Sequence, residues 1–289
     1  DVSVFRPSNG FWYVSKSSGG YSSVKWGLAT DDLVPGDYDG DGKTDLAVYR
    51  IGAGVSLSNI VDNTWYILKS SDNTFLARQW GRTGGFIHDT PVPADYDGDG
   101  KTDLAVYNLS DALGAPSSFR ILQSSNDSAV IRQWGTTLDR RVPADYDGDG
   151  KADLAIYRDN LYFGGSQVGI WYILQSSNGA IRVERFGLPT DRLVPADYDG
   201  DGKVDIAVYR PSNGFWYRLN SSDGSSNATQ FGLSSDKPTP ADYDGDGKTD
   251  IAVFRPSSGT WYLQRSSEGF AAHVFGFQDD IPIPNIFVR

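Results

Sequence analysis

Asp37, Asp39, Asp41 and Asp45 occupy positions 1, 3, 5 and 9 of a nine-residue segment, Asp-Tyr-Asp-Gly-Asp-Gly-Lys-x-Asp, with glycines at positions 4 and 6. Four near-copies follow. They place Asp95, Asp97, Asp99 and Asp103, then Asp145, Asp147, Asp149 and Asp153, at the same positions. Asp197, Asp199, Asp201 and Asp205, then Asp242, Asp244, Asp246 and Asp250, complete the set. Alternating carboxylates on a glycine-tightened loop converge on one hard cation, and calcium takes roughly six to eight such oxygens. The position-7 backbone carbonyl is the expected further ligand, from Lys43, Lys101, Lys151, Lys203 and Lys248. Five loops in register predict five calcium sites.

The elements around each loop recur with it. Loop starts are spaced by 58, 50, 52 and 45 residues. A short segment ending in Pro and a small residue precedes each loop, as in Val92-Pro93-Ala94, and an apolar run such as Leu46-Ala47-Val48-Tyr49 follows it. An aromatic segment like Trp65-Tyr66-Ile67-Leu68 comes next, and one like Ala77-Arg78-Gln79-Trp80-Gly81 ends the unit. These are short β-type runs bounded by Gly, Asn, Ser and Asp, so each unit reads as four antiparallel strands, A to D. A strand after the acidic loop rules out an EF-hand or dockerin, where a helix follows. Repeats of about fifty residues rule out a nine-residue β-roll. The calcium loop is thus the A–B turn, and strands B and C, apolar on both faces, suit sheets stacked face to face. Radial stacking of such sheets makes a β-propeller.

The chain ends predict how the ring closes. Residues 1–13 match residues 205–217 almost one for one, so the first unit starts at the last loop position and lacks its own strand A. Ile281-Pro282-Ile283-Pro284 resembles a strand A without a following loop. The expectation is a single all-β domain over residues 1–289, a six-bladed propeller of four-stranded blades whose C-terminal strand completes the N-terminal blade. The expected blades are 1–30 with 281–289, 31–87, 88–137, 138–189, 190–234 and 235–280. The first would carry no calcium.

The loop-plus-strand pattern resembles the FG-GAP/VCBS family of calcium-binding propeller repeats, found in integrin α-subunit heads, bacterial surface proteins and some lectins. The resemblance covers nearly the whole chain. It implies a non-catalytic recognition or adhesion module with its ligand face opposite the calcium loops, and it does not name the ligand, because fold alone identifies no site.

Composition narrows the function classes. There are no Cys and two His, His88 and His273, so a thiol nucleophile is excluded and histidine-based triads nearly so. Acids outside the loops, such as Glu184 and Glu268, lack the spacing of an acid–base pair, and no phosphate loop or dinucleotide fingerprint is present. The net charge is −11, yet twenty of the 37 acids lie in the loops, and five calcium ions would leave the molecule near −1. Acidity is thus a metal-binding feature, and no basic patch points to nucleic acid. No apolar stretch approaches membrane-spanning length. Sites of this kind fill at extracellular calcium, with dissociation constants on the order of 0.1–1 mM. The chain has no Met and starts at Asp1, so removal of a signal peptide or larger flanking region is expected, with an extracellular or cell-surface location. Asn-x-Ser/Thr sequons stand at Asn108, Asn126, Asn220 and Asn227.

Internal repetition separates scaffold from function. Features present in every unit read as structural. These are the strand-C aromatics Trp12, Trp65, Phe119, Trp171, Trp216 and Trp261, and the strand-D aromatics Trp26, Trp80, Trp134, Phe186, Phe231 and Phe275. The aspartates ahead of strand A (Asp32, Asp89, Asp139, Asp191, Asp236 and Asp280) read as turn formers. The B–C connections break the uniformity. Units 1, 5 and 6 use an Arg-Pro-Ser-Asn/Ser-Gly turn, whereas units 2, 3 and 4 carry insertions at residues 51–63, 108–117 and 159–169. The loop at 81–90 is also long. All would emerge opposite the calcium loops, where Arg82, Phe86, His88, Tyr162 and Phe163 are the candidate ligand contacts. Two readings stand for the insertions: a binding rim, or tolerated surface loops. Two classes stand for the protein: a recognition module for a glycan or an extracellular protein, or an assembly subunit of a surface layer, stalk or filament, with self-association by strand exchange. An accessory module of a larger secreted enzyme is a further alternative.

Overall fold

Strand Leu46–Arg50 shows what holds the architecture together: Ala47, Val48 and Tyr49 are each no more than 1% exposed. Successive side chains of a strand point to opposite faces, so protein covers this strand on both sides. Strands Ile206–Arg210 and Ile251–Arg255 are buried in the same way. The computed structural model describes residues 1–56, 58–85, 87–110, 112–163 and 166–284, with side chains at all of these except 87, 110, 160–163 and 166. Every element among them is a β-strand and every strand pairing is antiparallel.

The chain divides into two compact units, Asp1–Ala29 with Asn160–Gly169 and Arg185–Arg289, and Thr30–Asp159 with Ile170–Glu184. In the first unit one four-stranded sheet runs in the order Ile281–Ile283, Val2–Arg6, Phe11–Ser15, Tyr21–Lys25. The C-terminal strand therefore does complete the N-terminal sheet, with Ser3 opposite Ile283 and Phe5 opposite Ile281. A second sheet comprises Arg192–Leu193, Ile206–Arg210, Phe215–Leu219 and Ser226–Gln230, and a third Lys237–Pro238, Ile251–Arg255, Thr260–Arg265 and Gly269–Val274. Strand A is two or three residues long in these sheets. The prolines around it cannot donate to a ladder and sit at sheet edges.

The second unit departs from one sheet per repeat. Asp32–Leu33, Leu46–Arg50, Val61–Leu68 and Phe75–Gly84 continue without a break into Ile87–Pro91, Leu104–Ser110, Pro116–Leu122 and Ala129–Thr136, giving one eight-stranded sheet. The join is the segment expected as a long loop at 81–90. It is a hairpin with Thr83 opposite His88, turning through Gly84 at φ 127° and Gly85 at φ 60°, conformations open to glycine. Pairing satisfies backbone groups that a loop of this length leaves to water. The expected insertions are shorter than drawn for the same reason. Residues 61–63 belong to strand Val61–Leu68, residues 108–110 and 116–117 to flanking strands, and residues 159–163 and 166–169 to the long strands Leu154–Phe163 and Ser166–Leu174. The last two join Arg140–Arg141 and Ile181–Arg185 in the fifth sheet.

Apolar clusters form between successive four-stranded groups. Tyr49 and Trp65 pack with Leu104, Val106 and Leu122 of the next four strands. Tyr209 and Trp216 meet Ile251 and Val253, and Phe254 and Trp261 meet Val2 and Val4. All six strand-C aromatics are at most 2% exposed, as expected of scaffold, and each such ring removes enough apolar area to contribute about 2–3 kcal/mol. Strand C as a whole is not apolar on both faces, however. From Asn63 to Leu68 the strand Val61–Leu68 alternates buried and half-buried positions. The strand-D aromatics are likewise only half-buried, because strand D is the outer edge.

At the end of each sheet away from the acidic loops, an arginine closing strand B grips a buried aspartate ahead of strand A. Nε and Nη2 of Arg6, Arg50, Arg158, Arg210 and Arg255 donate in parallel to both oxygens of Asp280, Asp31, Asp139, Asp191 and Asp236, at 2.6–2.9 Å. Each guanidinium also lies over a strand-C tyrosine, 4.4 Å from the Tyr13 and Tyr217 rings and 4.3 Å from Tyr262. The aspartates thus do more than turn the chain, and the member in the second repeat is Asp31, since Asp32 is exposed. One repeat swaps the parts: Asn108 replaces the arginine, and Arg120 stands where the tyrosine would be, so that Asp89 accepts from Asn108 at 2.6 Å and Arg120 at 3.3 Å.

Removing one partner of such a pair strands a buried charge. Arg255→Ala is expected to lower stability by about 3 kcal/mol, and Arg255→Lys to recover less than half of that, because an ammonium cannot reproduce two parallel N–H donors. Chemical denaturation checks this; an alanine variant as stable as the parent refutes the pin.

Candidate metal centres

Each acidic loop is built before any ion is considered. Glycines 4 and 6 hold φ of 79–85° in all five loops, a left-handed conformation that turns their N–H groups inward. The position-1 carboxylate accepts both. Gly40 and Gly42 N–H donate to Asp37 at 2.6 and 2.8 Å, and the other four loops repeat this pairing. The position-2 tyrosine anchors the loop to the core. Its hydroxyl donates to the carbonyl four residues back (Tyr38 to Val34 at 2.6 Å, Tyr198 to Val194 at 2.7 Å), and its ring meets a strand-C aromatic edge-on, as Tyr38 does Trp65.

The position-9 aspartates Asp45, Asp103, Asp153, Asp205 and Asp250 are buried, at most 1% exposed. One oxygen of each accepts the tyrosine N–H and the other accepts the N–H of a serine opening the C–D turn. For Asp45 these are Tyr38 at 2.9 Å and Ser70 at 2.7 Å; for Asp205, Tyr198 at 2.9 Å and Ser221 at 2.6 Å. The same serine hydroxyl donates to the position-5 aspartate, and the next serine to position 3, as Ser70 does to Asp41 at 2.9 Å and Ser71 to Asp39 at 2.6 Å. Serines 124–125, 176–177, 221–222 and 266–267 repeat the clamp. The sequence reading did not assign these serines or tyrosines a role. The signal was a Ser-Ser pair once per repeat, which reads as turn composition until the turn is seen beside the loop.

Carboxylate oxygens gather within 4.8 Å of one another in every loop. The trio comes from positions 1, 3 and 5 in Asp37–Asp39–Asp41, Asp95–Asp97–Asp99 and Asp242–Asp244–Asp246. It comes from positions 1, 3 and 9 in Asp145–Asp147–Asp153 and Asp197–Asp199–Asp205. The fourth carboxylate of each loop lies outside its trio, held by the serine clamp or by backbone N–H groups. Asp147 Oδ1 and Asp244 Oδ1, both at position 3, are shut from solvent with no hydrogen-bond donor. An all-oxygen donor set that includes aspartates with buried, unmet acceptor atoms fits a hard cation and offers nothing to a soft one.

The electrostatics agree with the geometry. Burial pushes the carboxyl of Asp153 up to about 6 against the N–H donors of Ser176 and Tyr146, with Asp147 adding like charge. Asp45, Asp103, Asp205 and Asp250 rise for the same first reason.

The candidate ligand contacts are less gathered. Arg82 pairs with Asp62 at 3.3 Å and donates its backbone N–H to Asp89, while His88 is exposed on the adjoining strand. Phe86, and the side chains of Tyr162 and Phe163, lie outside the described residues. The other histidine, His273, shares a hydrogen bond with Ser15 at 3.0 Å.

An FG-GAP-like repeat model matches residues 197–253, and an FG-GAP repeat model matches residues 237–274. Residues 197–274 carry FG-GAP-type repeats. The matched stretch holds the loops at 197–205 and 242–250 and every strand of their sheets except Arg192–Leu193. No curated protein matches the sequence. Among solved structures, an ACO/RPE65 chimera is similar over 99% of this chain and 71% of its own, at 11% identity and a TM-score of 0.51. A mutant apocarotenoid oxygenase from Synechocystis covers the same shares at 9% identity and the same score. At such identities the likeness to these proteins is one of fold alone.

The pH dependence of the metal-free acidic loops follows from the carboxyl shifts. A carboxyl whose folded value is raised holds its proton longer folded than unfolded, so the stability that Asp153 contributes is fully present below about pH 4 and is lost as pH rises through about 6. In calcium-free buffer the melting temperature is expected to drop between pH 4.5 and 7, and millimolar calcium to cancel the drop. A calcium-free profile that rises over that range contradicts the assignment.

Proposed function

We propose that this protein is a non-catalytic, extracellular recognition module of FG-GAP repeats whose five acidic loops each carry a structural calcium ion. The observation that carries the reading is the five-fold recurrence of clamped carboxylate trios, two of which include an aspartate with a buried oxygen that meets no donor. Positions 1, 3, 5 and 9 and the position-7 carbonyl would hold the ion, which supplies the positive charge that the converging carboxylates lack. The rest is the work of the chain: glycine N–H groups aim position 1, serine hydroxyls aim positions 3 and 5, and the buried position-9 carboxylate ties the loop to strand C. FG-GAP repeats are typical of extracellular proteins, where calcium is abundant.

The same reading extends to architecture. The eight-stranded sheet is two four-stranded meanders joined edge to edge, and the pairing of Val2–Arg6 with Ile281–Ile283 supports six blades closed by the C-terminal strand. For the ligand, the insertions at 51–63, 108–117 and 159–169 and the long segment at 81–90 favour the sheet ends opposite the calcium loops. That end is rigid at its base through the Arg–Asp pairs and variable at its tips, a combination suited to binding a glycan or a surface protein. An assembly subunit is the second reading, supported by the N-terminal sheet depending on a strand from the far end of the chain.

Native mass spectrometry in millimolar calcium is expected to show five bound ions. At tenfold excess over its dissociation constant each ion adds about 1.4 kcal/mol, so EGTA should lower the melting temperature clearly; a melt that EGTA leaves unchanged removes the calcium reading. A glycan array in calcium is expected to give binding that is lost when the hairpins in repeats 2–4 are trimmed to Pro-Ser-Asn-Gly turns. Failure to bind any glycan, with self-association in light scattering, moves the assignment to the assembly reading.

A further inference from the structure

The acidic loops are wired to one another by single peptide groups. The N–H of Thr102, position 8 of its loop, donates to the backbone carbonyl of Asp37, position 1 of the preceding loop, at 2.6 Å. Ala152 N–H bonds Asp95 in the same way at 2.6 Å, and Thr249 N–H bonds Asp197 at 2.7 Å. These bonds are short for N–H···O and shielded, since Thr102, Ala152 and Thr249 are only 5–9% exposed. Two further contacts press the loops together. A Cβ placed at Gly40 would fall 3.0 Å from Cε of Lys101, and Gly98 and Gly200 meet Lys151 and Lys248 alike. A Cβ at Gly36 would fall 2.8 Å from Thr102 Oγ1.

The consequence lies in which peptide makes the bond. The Lys101–Thr102 peptide carries both the position-7 carbonyl, expected on the cation of its own loop, and the N–H that holds Asp37 of the loop before. A cation on the carbonyl draws electron density from the amide and makes its N–H a stronger donor, and such polarisation is transmitted along chains of buried hydrogen bonds. The accepting residue is no bystander. Asp37 gives the first carboxylate of its own trio, and its side chain is already fixed by Gly40 and Gly42. Ordering one loop thus orders the first ligand of the loop before it. Linkage requires the reverse effect to be equal.

We propose that the loops bind divalent cations as two cooperative sets. Residues 37–45, 95–103 and 145–153 form one set, residues 197–205 and 242–250 the other, and the position-8 N–H to position-1 carbonyl bond is the coupling element within each. This rests on the calcium reading above. Its distinct content is that occupancy of one loop changes the affinity of the next without any shared ligand.

Hydrogen exchange read by mass spectrometry during a calcium titration of the full chain resolves each loop as its own peptide. In the parent protein the protection midpoints of 37–45 and 95–103 should coincide. Silencing the middle loop by Asp97→Asn with Asp99→Asn should move the midpoints of 37–45 and 145–153 to roughly five-fold higher calcium or more, leaving 197–205 and 242–250 in place. Asp244→Asn with Asp246→Asn should do the converse, moving 197–205 alone. Midpoints that stay fixed in the neighbouring loops overturn the coupling while leaving calcium binding intact. A shift of all remaining loops together also overturns it, since that is general destabilisation. Absence of calcium-dependent protection at every loop of the parent removes the calcium reading itself.

Discussion

The buried carboxylate at loop position 9 is the point on which the rest of each repeat turns. It sits where strand B begins, closed off from water, with one oxygen on the loop tyrosine N–H and the other on the first serine of the C–D turn. A charge in that place is costly unless donors meet it, and the donors come from two segments that are otherwise free to splay apart. Satisfying one aspartate therefore brings the A–B loop and the C–D turn to the same end of the sheet. The two serine hydroxyls then arrive beside positions 3 and 5, and the tyrosine ring beside the strand-C aromatic. The acidic loop is thereby continuous with the apolar core rather than an appendage to it.

The opposite sheet end is held by a different device with the same logic. There the buried aspartate ahead of strand A meets a bidentate arginine from the end of strand B, and a tyrosine face covers the guanidinium. Between the two polar ends run the strands whose both faces are covered by neighbouring sheets. The division of labour is physical. Apolar area between sheets supplies most of the stabilisation but is tolerant of sliding, whereas the two sets of aspartates are directional and set register. The third repeat makes the point, because losing the arginine at Asn108 is matched by gaining one at Arg120.

These constraints leave variation only where no aspartate has to be met. The hairpins that lengthen strands B, C and D in the second to fourth repeats extend beyond the Arg–Asp layer, and in one case fuse two sheets through Thr83 and His88. They change the outer end without disturbing the loops. The loops in turn vary hardly at all, because each is bound by its own donors and three of them also accept the peptide N–H of a neighbouring loop.

Much of this was legible in the chain alone. Recurrence of Asp-Tyr-Asp-Gly-Asp-Gly-Lys-x-Asp carried the loop, its glycines and the donor chemistry, since coordination depends on spacing within nine residues. Strand order, the scaffold role of Trp65 or Trp216, and the return of Ile281–Ile283 to Val2–Arg6 were equally local, resting on matched patterns. What the chain did not disclose is what depends on approach through space. Ser70 lies twenty-five residues beyond Asp45 and Ser221 only sixteen beyond Asp205, so no constant spacing marks the clamp. Asp31 rather than Asp32 meets Arg50 because of strand register, and residues 81–90 pair because each side of that segment finds an extended partner. Chemistry written into a short loop can be read from its order; the contacts that aim it are set by which strands meet, and only the folded chain decides that.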